Sequence, residues 1–529
     1  MTDTMMTLSP DVVVEPLVGR WYAWTHLIAP ATAALNVAFR HVPQLESFVA
    51  SPELHVAAVK DPRMRGGPFV DLPVERAGEV RALLDQTRTR QARQIELANA
   101  IKGAFRHVLK GADGTGMDRL YGELPEAVRG YVELSYTLGG HPDLRVLEPL
   151  LYRSAYHDPG EQRAMVYRGS GDDRPFSFST PRLPRPDAIE LARPFASDAY
   201  DTLARLRTVP RTRREVHDLL ALDGSDAALL DGMLVESGPR RPTAAPQGRA
   251  RWRYFGHACV LVEGADGTTV LIDPAVANDD PAGDGRPTLA DLPERIDCVV
   301  LTHNHQDHIL FETLLALRWR IGTIVVPAAG GGIADPSIRL TLQAIGFRDI
   351  VEMQPFDAVR FGAIALTPLP FLGEHGDLDV RSKAAWLVET AGRRLLFAAD
   401  SKNLEPRLYD LLRADIGQID TLFIGMECIG APMSWLYGPL LPMALERRKD
   451  QTRRLDGSDF PRAIRVVESL GCREVYVYAM GMEPWIQFIS SVDPAPDTAL
   501  MTQSNELVAT CRARGIASER LYLHAERML

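Results

Sequence analysis

The rhythm of apolar and polar positions changes once along this 529-residue chain. In the N-terminal half it is mostly helical. Residues 76–110 carry Ala, Leu, Arg and Gln at roughly helical spacing, and Gly111 can end that helix. Residues 197–235 read as short helices. There Thr212-Arg213-Arg214-Glu215 makes a capping box ahead of Val216, Leu219 and Leu220, and Asp231-Gly232 supplies a turn. This order suggests a winged-helix-like module or a small helical packing unit. Residues 238–252 are punctuated by Pro and Gly without an apolar period and read as a linker. Beyond them the pattern turns to strands. Tyr254 to Val262 and Thr268 to Ile272 predict a hairpin across Asp266-Gly267. Cys298–Leu301, Thr323–Val326, Ala363–Leu366, Ala385–Val388, Arg394–Phe397, Thr421–Ile424 and Glu474–Tyr478 continue the series, with helical segments between several of them. Strands alternating with helices and hairpins imply a layered α/β architecture behind a mixed, largely helical N-terminal region. The expected division is 1–196, a small module at 197–237, a linker at 238–250 and a C-terminal domain over 251–529.

Composition narrows the function. Hydrophobic residues make up 46% and charged residues 24%, ordinary globular values. A net charge of -10 disfavours nucleic acid, whose binding needs a basic stripe. The five cysteines are scattered and odd in number, which suits a reducing compartment. Met1 to Leu17 shows no basic region followed by an apolar run, and no stretch approaches a membrane span. A soluble, cytoplasmic protein without nucleic-acid or membrane partners is expected.

Chemistry concentrates after the apolar run Cys298–Leu301, in His303-Asn304-His305-Gln306-Asp307-His308. Imidazole and carboxylate are the usual ligands of zinc, iron and manganese. The alternate positions His303 and His305 can face one metal from the strand end, and Asp307 and His308 can serve a second from the turn. The segment resembles the HxHxDH motif of the metallo-β-lactamase superfamily, which implies an αββα sandwich with two metals at one edge. In that superfamily an aspartate placed as Asp400 is here, at the end of an apolar strand, bridges the metals. The same resemblance makes Asp273 a support for a metal-bound histidine and puts His257 close to the site or in a structural role.

A further ligand is expected from Gly373-Glu374-His375-Gly376, and two residues compete for it. With Glu374 the first metal has two histidines and a carboxylate, the set of oxygen-activating non-haem iron. With His375 it has three histidines, which suits zinc hydrolysis. Hydrolases of the superfamily also draw a late histidine to the second metal. Here the late strand runs into Ala479-Met480-Gly481-Met482-Glu483-Pro484-Trp485, and the only histidine after His375 is His524. The second metal is then expected to keep an open position.

Longer segments resemble one family. Gly373-Glu374-His375-Gly376-Asp377-Leu378, Ala398-Ala399-Asp400-Ser401, Gly425-Met426-Glu427-Cys428, Trp435-Leu436-Tyr437-Gly438-Pro439, Leu455-Asp456-Gly457-Ser458-Asp459 and Tyr478 through Trp485 are similar to the diiron β-hydroxylases of non-ribosomal peptide pathways, including that of chloramphenicol biosynthesis. Arg20-Trp21-Tyr22-Ala23-Trp24 and Glu148-Pro149-Leu150-Leu151-Tyr152-Arg153 extend the resemblance into the N-terminal half. It implies O2-dependent hydroxylation at the β-carbon of an amino acid held as a thioester on a peptidyl carrier protein. It also implies two iron ions, with His303, His305 and Glu374 on one, Asp307 and His308 on the other, and Asp400 between them. Glu374 becomes the residue on which catalysis turns. The N-terminal domain would serve recognition and form a homodimer. Oxidised iron must be reduced before O2 binds, and no flavin or nicotinamide fingerprint is present, so an external reductase or electron donor is implied. The alternative enzyme is a dinuclear zinc hydrolase of the thioesterase or lactonase type, using a metal-bound hydroxide. A non-catalytic carrier-binding scaffold is the third reading, against which the intact ligand set argues.

Overall fold

A computed structural model describes residues 4–222, 224–236, 248–280 and 283–529. Most of the linker expected at 238–250 lies outside the described residues. The expected linker end at 252 needs correction, because Arg251–Tyr254 is already a strand and Arg251 and Trp252 are buried in it.

The C-terminal half is an αββα sandwich. One seven-stranded sheet runs in the order Ile350–Met353, Ile321–Pro327, Ile296–Val300, Thr269–Ile272, Val260–Glu263, Arg251–Tyr254, Ala525–Met528. The other runs Val359–Phe361, Ile364–Leu369, Ala385–Thr390, Arg393–Phe397, Thr421–Gly425, Glu474–Tyr478, Ala517–Arg520. All the strands expected from the apolar runs are present. The first hairpin differs in detail: Tyr254 to Val262 is not continuous. A turn at Gly256 (φ 97°) and His257 (φ 50°) breaks it, and a Cβ at Gly256 would lie 2.2 Å from the Trp485 ring. Only glycine fits there.

Between the sheets lies a dry layer that includes Trp252, Val300, Trp386, Leu395 and Phe423. Helices Phe311–Leu317 and Ile338–Ala344 cover the outer face of the first sheet. Arg407–Ile416, Phe460–Leu470 and Ala499–Ala513 cover the second. Strands buried on both faces read as near-continuous apolar runs, which is why they stood out in the sequence.

The single helix expected over 76–110 is divided at Gln91 into Ala77–Arg90 and Ala92–Gly103, followed by a wider turn over Ala104–Val108 and a tighter one over Leu109–Gly111. The N-terminal half also holds a four-stranded antiparallel sheet, Trp21–Tyr22, Val12–Val18, Gln162–Arg168, Ile189–Leu191. In the small module the Thr212–Glu215 capping box forms with both reciprocal bonds. Its strands Arg211–Thr212 and Leu234–Val235 flank Met5–Leu8, so the unit borrows a strand from the chain's start.

The two halves share a core. Met433, Leu436, Tyr437, Leu440 and Leu455, from the C-terminal half, are buried in the N-terminal helical cluster. The buried Arg40 donates to the carbonyls of Trp435 (2.7 Å) and Leu436 (2.8 Å). Cutting the halves apart would expose this apolar face and strand the arginine. Residues 251–529 produced alone should therefore aggregate on size exclusion; a monodisperse, thermally stable fragment would contradict a shared core.

Glu148 lies in the same seam, accepting the Ser337 backbone N–H at 3.0 Å. Burial, with Asp335 and Glu352 nearby, raises its pKa to about 7. A carboxyl raised above its unfolded value stabilises the fold fully at low pH, and that contribution is lost as pH rises from the ordinary carboxylate range through about 7. Glu148→Gln, which keeps an acceptor and removes the charge, should therefore raise stability at pH 8 more than at pH 5. Equal shifts in denaturant midpoint at the two pH values would refute this.

Candidate metal centre

The strand Ile296–Val300 ends at one edge of the sandwich and delivers His303, His305, Asp307 and His308 into a turn. The turn is closed by His308 N–H and Ile309 N–H donating to the His305 carbonyl at 3.2 and 2.9 Å. Asp273, at the end of the neighbouring strand, organises it. Asp273 accepts the Thr302 N–H (2.8 Å) and hydroxyl (2.6 Å), and lies 2.7 Å from His308 Nδ1. The Thr302 hydroxyl proton is committed to Asp273, so its oxygen can accept from His303 Nδ1 at 3.0 Å. These contacts at Nδ1 turn Nε2 of both rings toward Asp400, the nitrogen a metal would take on losing its proton.

The other candidates arrive from the second sheet. Asp400 follows the strand Arg393–Phe397; it caps no helix, since the next helix begins at Arg407. Its Oδ2 lies 3.1 Å from His308 Nε2 and 3.8 Å from His303 Nε2. A Cβ at Gly425 would come within 2.5 Å of Asp400 Oδ1, so glycine there makes room for the carboxylate. Glu374 Oε1 lies 2.8 Å from His305 Nδ1, and its Oε2 lies 4.0 Å from His303 Nε2. Candidate donor atoms therefore converge in three overlapping groups: His303, His305, Glu374; His303, His308, Asp400; and His257, Asp307, His308. All six ligands expected from the sequence come together. His375 is not in these groups. It is buried beside them, with Nδ1 2.9 Å from Glu374 Oε2 and its ring 4.6 Å from that of His305.

His257 belongs to the site's surroundings. Its Nδ1 accepts the Gly481 N–H at 3.2 Å, which leaves the neutral ring's proton on Nε2, 3.1 Å from Asp307 Oδ2. A ring so held keeps its Nε2 proton beside Asp307, without hydrogen-bond geometry, and has no lone pair for a metal. Tyr437, 3.3 Å from His305 Nε2, holds the far side of that ring. The late strand brings no histidine, and His524 lies exposed elsewhere. Glu427 was not singled out as a site residue, yet it lines the same cavity as Asp307, Glu374 and Asp400. Its only signal in the sequence was the segment Gly425–Cys428.

Strain marks the place. His257, Asp273, Glu374, Ala399 and Ala479 all adopt left-handed backbone, unusual outside glycine and concentrated at functional sites.

The electrostatics fit cations. Burial and the charge of His308 hold the His303 pKa well down. Burial opposes protonation of His308 too, but Asp400, Asp307 and Asp273 pull its pKa well up. Glu374, despite burial, is held well below the carboxylate range by His305 and His375. Burial and the Asp400 and Asp307 charges drive Glu427 well up. His303 Nε2, Glu374 Oε2 and Asp400 Oδ1 are buried without a hydrogen-bond partner. Orphaned acceptors and crowded carboxylates in a buried space are costly unless positive charge sits among them. Two metal ions would satisfy these atoms together, and the oxygen–nitrogen donor set suits iron.

Residues 7–238 match the family described as diiron non-heme beta-hydroxylase N-terminal domain, and residues 268–436 match the beta-lactamase superfamily domain. The chain is 40% identical over 528 residues, 98% of both proteins, to 4-amino-L-phenylalanyl-(CmlP-peptidyl-carrier-protein) 3-hydroxylase of Streptomyces venezuelae. The crystal structure of CmlA, a diiron β-hydroxylase from the same organism, superposes with a TM-score of 0.92 at 38% identity, covering 100% of both chains. A metal-dependent hydrolase of Myxococcus xanthus is 33% identical over 70 residues, 13% of this chain and 23% of that protein.

Proposed function

The chain belongs to the diiron non-heme β-hydroxylases, and on that footing we propose that it hydroxylates the β-carbon of an amino acid carried as a thioester on a peptidyl carrier protein. Two irons and O2 are the family's cofactors. When bound, a reduced iron pair activates O2, so that one oxygen atom enters the C–H bond and the other leaves as water with two electrons and two protons. An external donor supplies those electrons.

We assign His303, His305 and Glu374 to one iron, Asp307 and His308 to the other, and Asp400 to both. The observation that carries this reading is the donor set at the first position, two imidazoles with a carboxylate. The chain's own contribution is positional. Asp273 and Thr302 orient the His303 and His308 rings, Tyr437 steadies His305, and His257 lies against Asp307. The cavity above, about 990 Å³, is large enough for an aminoacyl arm. Phe178, Trp435 and Leu436 make part of its wall apolar.

Metal analysis with an optical spectrum tests the assignment. Two irons per chain with visible ligand-to-metal absorption, and a carrier-bound amino acid that gains one oxygen atom after reduction and exposure to air, are expected. Two zincs, no colour and release of the free amino acid would put the hydrolase in its place. The N-terminal half is assigned to recognition and a homodimer; a monomeric mass in sedimentation at micromolar concentration would remove the dimer.

A further inference from the structure

The cavity over the metal centre is lined inside by Asp307, Glu374, Asp400 and Glu427. Toward solvent its lining holds Asp493 and four arginines: Arg63 and Arg65 from the N-terminal half and Arg447 and Arg454 from the C-terminal half. The last two belong to a run, 447–454, that holds Arg447, Arg448, Lys449, Arg453 and Arg454 within a chain of net charge -10. Such local concentration against the overall sign marks a surface for an anion.

The four mouth arginines are not equivalent. Arg63 is engaged by Asp61, with Nη2 to Oδ2 at 2.6 Å, and Arg65 donates to the Val492 carbonyl at 3.1 Å. Arg454 donates only to Gln451 Oε1, at 2.9 Å, and is half-buried; Arg447 is exposed. Among the described residues neither has a carboxylate partner. Two guanidinium groups lining one opening, each with donors to spare, match the oxygens of a phosphate.

We propose that Arg447 and Arg454 hold the phosphodiester of the carrier protein's phosphopantetheine arm at the cavity mouth, an inference that rests on the carrier-bound substrate proposed above. The course of the cavity selects this occupant. A loaded arm is anionic at its carrier end and carries the amino acid at its far end. Anchored by its phosphate at the mouth, it would run inward along the cavity and bring the aminoacyl end toward the metal centre. A free phosphate would satisfy the mouth alone. Arg448 and Lys449 belong to the same run but do not line the cavity, and Lys449 pairs with Glu446.

Calorimetry on the metal-loaded protein separates these cases, using S-methyl phosphopantetheine, S-methyl pantetheine and inorganic phosphate as probes. Wild type should bind the phosphorylated arm about tenfold or more tightly than the dephosphorylated one, as expected for charge-assisted hydrogen bonds. That preference should shrink with added salt. Arg447→Ala, at an exposed position that leaves the fold untouched, should lose part of it. Arg447→Ala/Arg454→Ala should bind both arms alike. A double variant with the wild-type preference, or a wild type without one, overturns the clamp. Phosphate that binds wild type as tightly as the phosphorylated arm reduces the mouth to a generic anion site and overturns the assignment to the arm. Hydroxylation of a loaded carrier is measured separately. Oxygen insertion without a phosphate preference leaves the enzyme reading standing and removes the clamp; an arginine-dependent preference without oxygen insertion does the reverse.

Discussion

Asp400→Ala should yield a folded protein that has lost most of its metal and all of its hydroxylase activity. Among the described residues Asp400 is the one carboxylate within 4 Å of both His303 and His308, so on the proposed assignment its removal would take a ligand from two metals at once and restore the mutual repulsion that a bridging anion offsets. The fold has little reason to suffer. The side chain caps no helix, and its closest partner is His308 Nε2 at 3.1 Å. A graded control makes the result specific. Asp273→Asn should cost roughly ten- to a hundredfold in metal affinity, the usual range for a residue that orients a ligand, because an amide can no longer accept from both Thr302 and His308 Nδ1. Asp400→Ala should exceed that loss by a clear margin. Metal content by plasma emission, read beside circular dichroism, decides the matter. Wild-type stoichiometry in folded Asp400→Ala protein would remove Asp400 from the centre.

What the sequence revealed depended on how locally each feature is encoded. The His303–His308 segment is contiguous and follows a strand whose burial on both faces makes it an unbroken apolar run, so strand and ligands were both readable. Asp400 was readable for the same reason. Asp273 was expected to orient a metal-bound histidine, and it lies against His308. The role of His257 depended on which ring nitrogen meets Gly481, a contact across 224 positions that no spacing announces. Glu427 was hidden likewise, since its acidity matters only once Asp307 and Asp400 have been folded against it. In the N-terminal half the helices repeat locally and were seen. The sheet was not, because Val12–Val18 pairs with Gln162–Arg168, far along the chain. The shared core was hidden too: Met433, Leu436 and Leu440 look like an ordinary amphipathic stretch of their own domain until the N-terminal helices cover them.

The residue that decides the chemistry is Glu374, and its expected behaviour differs sharply from that of the next residue. Glu374→Ala should abolish hydroxylation and weaken the metal held with His303 and His305. His375→Gln should keep both metals and lose activity only modestly. Left-handed backbone at Glu374 (φ 73°) turns its carboxylate to within 2.8 Å of His305 Nδ1, while His375 packs behind it. His375 Nδ1 lies 2.9 Å from Glu374 Oε2 without hydrogen-bond geometry, so its ring packs against the carboxylate without standing in its place, and a glutamine of similar reach preserves most of that packing. The choice matters chemically. A carboxylate is harder than imidazole and anionic, so it lowers the net charge of the centre and favours the ferric state that follows oxygen activation. A carboxylate could also hold iron through one oxygen or through two. A third imidazole offers neither property. Metal content and hydroxylation of the two variants, measured side by side, settle the assignment. If His375 proves essential and Glu374 dispensable, the first position holds three histidines, and a zinc hydrolase becomes the better description of this protein.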